Sequence, residues 1–253
     1  MAPNSAPPTS VSAAPASANA GSRPALILLP GMPLDAALWD HQVRHLGEVA
    51  DPQVVELADC DSIAAMAGKV LAQAPERFAV AGLSMGGYVA LEILRRAPER
   101  VERLALLDTN ARPDTAEATA TRREAVALAR QGRYGQVIRA ALPRLIHPER
   151  LADERFVRSV LAQMERVGVD GYAREQEAIV NRVDSRPGLA AIRCPTLVVC
   201  GRQDILTPPA LHEEMAGAIP GARLVVIEEC GHLSAMEQPQ AVTALMRDWL
   251  LRD

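Results

Sequence analysis

The sequence predicts an α/β protein: a mostly parallel sheet of about six strands, flanked by helices and interrupted by an all-helical insertion. Three observations carry this. Short apolar runs of strand length alternate with segments of helical period over residues 25–110 and again over 186–253. The runs are apolar throughout, as strands buried on both faces are, which implies a parallel sheet covered by helices on each side. Residues 111–185 hold helical segments and no convincing strand.

The elements follow in order. Ala25–Leu29 is a continuous apolar run ended by Pro30-Gly31. A helical stretch follows over 38–47, and 54–57 reads as the second strand. Ser62 reads as the N-cap of a helix whose Ile63, Met66, Val70 and Leu71 share one face. Residues 78–81 form a third strand that ends at Gly82, and 88–94 continue as a helix until Pro98. Val101–Leu107 is the fourth strand. Helical segments then fall near 115–130, 134–142, 154–167 and 171–183. In the third, Phe156, Val157, Val160, Leu161 and Met164 make an amphipathic stripe. Alternation resumes with a strand at 195–200, a helix at 209–218, a strand at 224–227 and a closing amphipathic helix at 240–251. A helical block inserted into such a sheet is naturally a cap over the strand C-termini, where ligand sites of open α/β sheets lie. The expected organisation is thus a core of 25–110 and 186–253 with a cap at 111–185.

Residues 1–24 are rich in Ala, Pro and Ser. They lack the basic start and apolar stretch of a secretory leader and read as a disordered tail, with a cytoplasmic location expected. Hydrophobic residues make up 49% of the 253, enough for a sizeable core, and aromatics only 3%, so that core is built from aliphatic side chains. The formal net charge of −4 gives no reason to expect nucleic acid or an anionic membrane as partner. Cys60, Cys194, Cys200 and Cys230 form no CxxC pair and no zinc-spaced group with His, and read as reduced thiols in or near the core. No metal or other cofactor is expected, and the sequence is silent on oligomeric state.

The chemistry-bearing residues lie at strand ends. Gly82-Leu83-Ser84-Met85-Gly86-Gly87 joins a strand to a helix. A serine at so sharp a turn needs small residues two before and two after it, so that the chain can fold back. The turn also sets Ser84 at a helix N-terminus, which favours developing negative charge. A serine nucleophile needs a base, and His232 follows the strand at 224–227 on the same sheet edge. The base needs an orienting carboxylate; Asp204 follows the strand at 195–200, with Asp108, at the end of Val101–Leu107, as its rival. Oxyanion donors are expected from the backbone N–H groups of Met85 and Met32, each worth roughly 3 kcal/mol of barrier. Pro33 has no N–H and cannot serve. Leu34, Ile138, Leu142, Ile205 and Leu233, beside Met32 and Met85, are candidates for an apolar substrate pocket.

Leu-Leu-Pro-Gly at 28–31, Gly-Leu-Ser-Met-Gly-Gly at 82–87, Gly-Arg-Gln-Asp at 201–204 and Gly-His-Leu at 231–233 followed by Met-Glu-Gln-Pro at 236–239 together resemble the capped α/β-hydrolase superfamily. The resemblance runs from about Ala25 to the C-terminus, and small carboxylesterases and enol-lactone hydrolases are the groups it brings closest. Two departures stand out. The oxyanion segment reads Pro-Gly-Met where a His-Gly pair is commoner, and the first strands of the full fold are missing, so a shortened sheet is expected. The resemblance implies a serine hydrolase acting on a small, mainly apolar ester or lactone. C–C bond or thioester hydrolysis, lyase chemistry and perhydrolysis on the same triad, or ligand binding with little turnover, are its alternatives.

Overall fold

The structure, a computed structural model, describes residues 23–252. All but the last two residues of the stretch read as a tail lie outside it. Among the described residues six strands form one sheet: β1 (Ala25–Leu29), β2 (Asp51–Val54), β3 (Phe78–Leu83), β4 (Val101–Leu107), β5 (Thr196–Gly201) and β6 (Arg223–Ile227). Every pairing is parallel, in the order β2-β1-β3-β4-β5-β6. The chain starts inside the sheet, steps to one edge, then crosses back over β1 and fills the other side. Strand order therefore reverses between β1 and β3. In open parallel sheets the crevice beyond the strand ends at such a reversal is where ligands bind.

Successive strand residues serve opposite faces. Leu26, Leu28, Ala79, Ala81, Ala105, Leu107, Leu197 and Val199 join one core. Ile27, Leu29, Phe78, Val80, Leu104, Leu106 and Val198 join the other. The first is covered by α1 (Asp40–Leu46) and α9 (Pro239–Leu251), through Leu46, Val242, Met246 and Trp249. The second is covered by α2 (Ile63–Gln73), α3 (Met85–Arg96) and α7 (Pro209–Ala218), through Met66, Val70, Val89, Ile93 and Met215. A strand buried on both sides cannot alternate polar with apolar, which is why these strands read as unbroken apolar runs. Ser62 does cap α2, its hydroxyl accepting the Ala65 N–H.

Between β4 and β5 the described chain is helical: α4 (Ala116–Leu128), α5 (Tyr134–Leu145) and α6 (Glu154–Val180), with short tight turns between them. Tyr134, Ile138, Leu142, Leu145, Val160, Leu161 and Met164 of α5 and α6 pack into the first core. The two segments expected at 154–167 and 171–183 are both helical within α6 and meet at a kink at Gly168, whose φ of 70° and ψ of 178° leave the helix for one residue. The pattern was interrupted there because only glycine adopts that backbone at little cost.

The second strand lies earlier than its apolar residues suggest. β2 spans Asp51–Val54, while Val55 and Leu57 are buried just beyond it. It is an edge strand, pairing only with β1, so its own residues are largely exposed, and Pro52 costs no hydrogen bond that a central strand would need. A short helix, α8 (Ser234–Glu237), was not foreseen at all.

Helix α3 runs very close to β1. A Cβ on Gly86 would overlap the Leu29 carbonyl oxygen, and one on Gly82 would overlap the Gly86 carbonyl. Gly86→Ala is therefore expected to destabilise the protein by about 3 kcal/mol, at the upper end of overpacking costs. Thermal unfolding measures this; an unchanged midpoint would contradict the close approach.

Candidate active site

The C-terminal ends of β1, β3, β4, β5 and β6 converge on Ser84. This residue directly follows β3 and precedes α3, with φ 53° and ψ −114°, a conformation non-glycine residues adopt only under constraint. Neighbouring strands supply the constraint. The Ser84 N–H donates to the Leu107 carbonyl at 2.9 Å, continuing the β3–β4 ladder. The Ser84 carbonyl accepts from the Gly87 N–H at 2.9 Å and the Thr109 hydroxyl at 2.8 Å. The backbone is fixed on three sides while the side chain stays partly accessible.

His232 Nε2 lies 2.9 Å from Ser84 Oγ, and its Nδ1 lies 2.8 Å from Asp204 Oδ2. Both side chains are almost wholly buried. The Asp204 carboxylate accepts the Leu206 and Thr207 N–H groups at Oδ1, 2.8 and 2.9 Å away, and the Thr207 hydroxyl at Oδ2, 2.6 Å away. With every neighbour of Asp204 a donor, the Nδ1 proton of His232 belongs on the Asp204 side, and Nε2 is left to accept from the serine hydroxyl. Burial alone would raise the Asp204 pKa, but the His232 ring and these donors outweigh it and hold it below the ordinary value. Burial likewise opposes charge on His232, yet Asp204 outweighs it and keeps that pKa above its usual 6.5. Such a linked hydroxyl, imidazole and carboxylate can generate a serine nucleophile.

Asp108 lies near but does not touch the ring. Fully buried with φ 46°, it accepts the Gly201 N–H at 3.1 Å and the Ser234 N–H at 3.0 Å. Burial and the Asp204 charge push its pKa up to about 8. Of the two carboxylates open from sequence, Asp204 is the one hydrogen-bonded to His232.

The other expected residues are placed as follows. Met85 opens α3 directly after Ser84, so its N–H is among the donors left free at a helix start. The loop after β1 lies against Ser84: a Cβ on Gly31 would sit 3.1 Å from Ser84 Cβ, which puts Met32 beside the site. Leu34, Ile138, Leu142 and Leu233 are all buried members of the first core, against which Met32, Leu206 and Met236 also pack. Ile205 does not join them. The Gln203–Thr207 turn aims Asp204 inward and leaves Ile205 62% exposed; Leu206 takes the inner position instead. Sequence reading missed Thr207 as a partner of Asp204, and Glu237, whose buried carboxylate accepts the Gly231 and Leu233 N–H groups on either side of His232. Of the other histidines, His212 is fully buried, its Nε2 accepting the Thr109 N–H at 2.9 Å.

A model of the family described as alpha/beta hydrolase fold matches residues 59–239. A pimeloyl-[acyl-carrier protein] methyl ester esterase of Neisseria meningitidis serogroup C is 30% identical over 229 residues, 88% of this chain and 86% of that protein. Among solved structures, an enol-lactonase from Burkholderia xenovorans LB400 superposes with a TM-score of 0.84 at 28% identity, covering 93% of this chain and 94% of its own. A thermophilic esterase from Thermogutta terrifontis gives 0.82 at 31%, over 91% and 90%.

His212 supplies a pH prediction. Burial lowers its pKa to about 4, against 6.5 when unfolded. The unfolded chain thus takes up a proton that the native state refuses, and stability present above pH 6.5 is lost as the pH falls towards 4. An NMR titration of the His212 ring should show a midpoint near 4; a midpoint near 6.5 would contradict this burial.

Proposed function

The chain belongs to the alpha/beta hydrolase fold family, and from that premise we propose that it is a serine esterase cleaving a small, mainly apolar carboxylic ester or lactone through an acyl-enzyme. The observation that carries this reading is the continuous relay from Ser84 Oγ to His232 to Asp204, at 2.9 and 2.8 Å. The matched proteins named as a methyl ester esterase and an enol-lactonase support cleavage of an open-chain or cyclic ester. Burial of Ile138 and Leu142 in the same apolar core as Leu34 and Leu233 supports an apolar substrate body, contacted from the helical segment 111–185 acting as a cap.

In this reading Ser84 Oγ attacks the ester carbonyl and its proton passes to His232 Nε2. Asp204 stabilises the imidazolium. The Met85 and Met32 N–H groups hold the oxyanion. Collapse of the tetrahedral intermediate expels the alcohol, which takes the proton from His232 and leaves acyl-Ser84. His232 then deprotonates water, which attacks the acyl carbon; the acid departs and the serine is restored. For a lactone the freed hydroxyl takes the proton but remains part of the acyl chain, and the second step releases a single hydroxy acid. These steps use only groups of the protein and water.

Three outcomes follow. A fluorophosphonate probe should label the wild type at Ser84, and Ser84→Ala should abolish both labelling and hydrolysis of short-chain aryl esters; a wild type that neither labels nor hydrolyses any ester would overturn the reading. Asp204→Asn should lower kcat by roughly 10⁴-fold, the cost of a wrongly oriented base. Asp108→Asn should be at least roughly 100-fold less damaging, and the reverse ranking in the same assay would exchange the two carboxylates' roles. Finally, kcat/KM should rise with pH through an apparent pKa above 6.5, because only neutral His232 can accept the serine proton. A profile flat from pH 5 to 8 would exclude His232 as the base.

A further inference from the structure

The segment that carries His232 is anchored in an unusual way. It leaves β6 at Ile227 and reaches α8 at Ser234 without any strand or helix of its own. A catalytic base has to be held to within about 0.5 Å of its working position, so the fate of this segment's backbone donors matters. The Gly231 N–H and the Leu233 N–H both donate to Glu237 Oε1, each at 3.1 Å. The N–H between them, that of His232, donates to the Leu145 carbonyl at the end of α5, 3.0 Å away. Glu237 Oε2 accepts the His147 N–H, just past the end of α5, at 2.6 Å. The Arg150 guanidinium donates to the Glu237 carbonyl at 2.7 Å.

Glu237 is therefore a hub. One oxygen grips the main chain on both sides of the base, and the other grips the helical insertion. The contact is close: a Cβ on Gly231 would lie 2.6 Å from the His147 nitrogen. Glu237 is fully buried, and a buried carboxylate is costly unless its lone pairs are filled. Here three N–H donors fill them. A carboxylate is the only side chain of this length that offers two acceptor oxygens and no donor. Burial pushes its pKa up while the three amides pull it down. Nothing in the chemistry proposed for Ser84 uses this group, and it makes no hydrogen bond to the His232 ring.

We propose that Glu237 is a positioning residue that ties the backbone of His232 to the end of α5, so that seating of the helical insertion and placement of the base are one event. The inference rests on the reading of His232 as the base. Its consequence is that contacts made by a substrate with α5, where Ile138 and Leu142 lie, bear directly on the reach of His232 towards Ser84. The ring is faced by Asp204 from the loop after β5, by Asp108 from the end of β4 and by Glu237 from α8; each favours its protonated form when ionised, which Asp108, with its pKa pushed up to about 8, is only at higher pH. His212 on α7, held neutral by burial, faces the same cluster.

Two variants test this. Glu237→Gln keeps the shape but turns an NH2 towards one of the three N–H donors and removes a charge near the ring. His147→Pro deletes the donor on the insertion side, together with the imidazole whose Nδ1 accepts the Glu149 N–H at 3.3 Å. The backbone there suits proline: φ is −55° at His147, and Ile146 before it is extended. Both are compared with the wild type on p-nitrophenyl acetate, with rates expressed per site labelled by a fluorophosphonate, so that misfolded protein is not counted. For Glu237→Gln, kcat per labelled site should fall roughly 10- to 100-fold with KM changed little. The acid limb of its kcat/KM profile should also move to lower pH, because a negative neighbour has been removed. For His147→Pro, kcat per labelled site should fall by at least about fivefold with the acid limb unmoved. A purely structural Glu237 would lower the unfolding temperature and the labelled fraction while leaving kcat per labelled site and the acid limb where they were. If both variants keep kcat per labelled site within about twofold of wild type, the proposal is wrong. Should Glu237→Gln fail to fold, His147→Pro decides by the same criterion. A wild type that resists labelling altogether would instead indict the serine hydrolase reading; wild type and variants labelled and active alike would indict the clamp alone.

Discussion

The backbone of Ser84 is bent into a left-handed conformation that it would not hold by itself. Hydrogen bonds to Leu107, Gly87 and Thr109 hold it there, and two of these three come from β4 and the residues after it. The bend also needs α3 to start hard against β1, where Gly86 leaves no room for a side chain. The strand order β1-β3-β4 is what makes both supports available. That same order sets the loop after β1 on one flank of Ser84 and Asp108 on the other. A single strained residue thus links the topology of the sheet to the geometry of the site.

Electrostatics around His232 build on that frame. Three carboxyl groups lie around one buried imidazole. Their partners divide their tasks. Asp204 meets the ring itself, and its remaining lone pairs are filled by the turn that presents it. Asp108 binds two backbone amides, one from β5 and one from the residue that opens α8, and so joins strand ends rather than the ring. Glu237 binds three amides around the base and the insertion. Burial works against charge on each carboxyl, and only Asp204 has direct contact with a group able to carry the opposite charge.

Much of this was legible in the chain. Strands buried on both faces leave unbroken apolar runs, and Val101–Leu107 and Pro209–Ala218 match their expected bounds. The elbow was legible because its demand for small residues is local, and the order Ser84, Asp204, His232 because each lies in the chain segment that follows a strand. What escaped was non-local. β2 was misplaced because an edge strand lies half in solvent and lacks the apolar signature. Ile205 stands apart from the apolar core because a turn that reverses the chain decouples neighbouring side chains, which sequence spacing does not register. Glu237 lies within Met-Glu-Gln-Pro, a segment noted from the sequence, but its partners, residues 147, 231 and 233, are brought to it only by the tertiary fold.

His232 hangs from the margin of the sheet. β6 pairs with β5 alone, and its residues are the least buried of the strands on that side. Ser84 sits in the middle, 148 positions earlier in the chain. Free energies of local opening are lowest at such margins. Warming or mild denaturant should therefore detach the imidazole from the hydroxyl while the central strands and the elbow are still intact. Turnover would then vanish ahead of the bulk circular dichroism signal, which makes catalytic rate a gauge of fraying at one edge rather than of global unfolding.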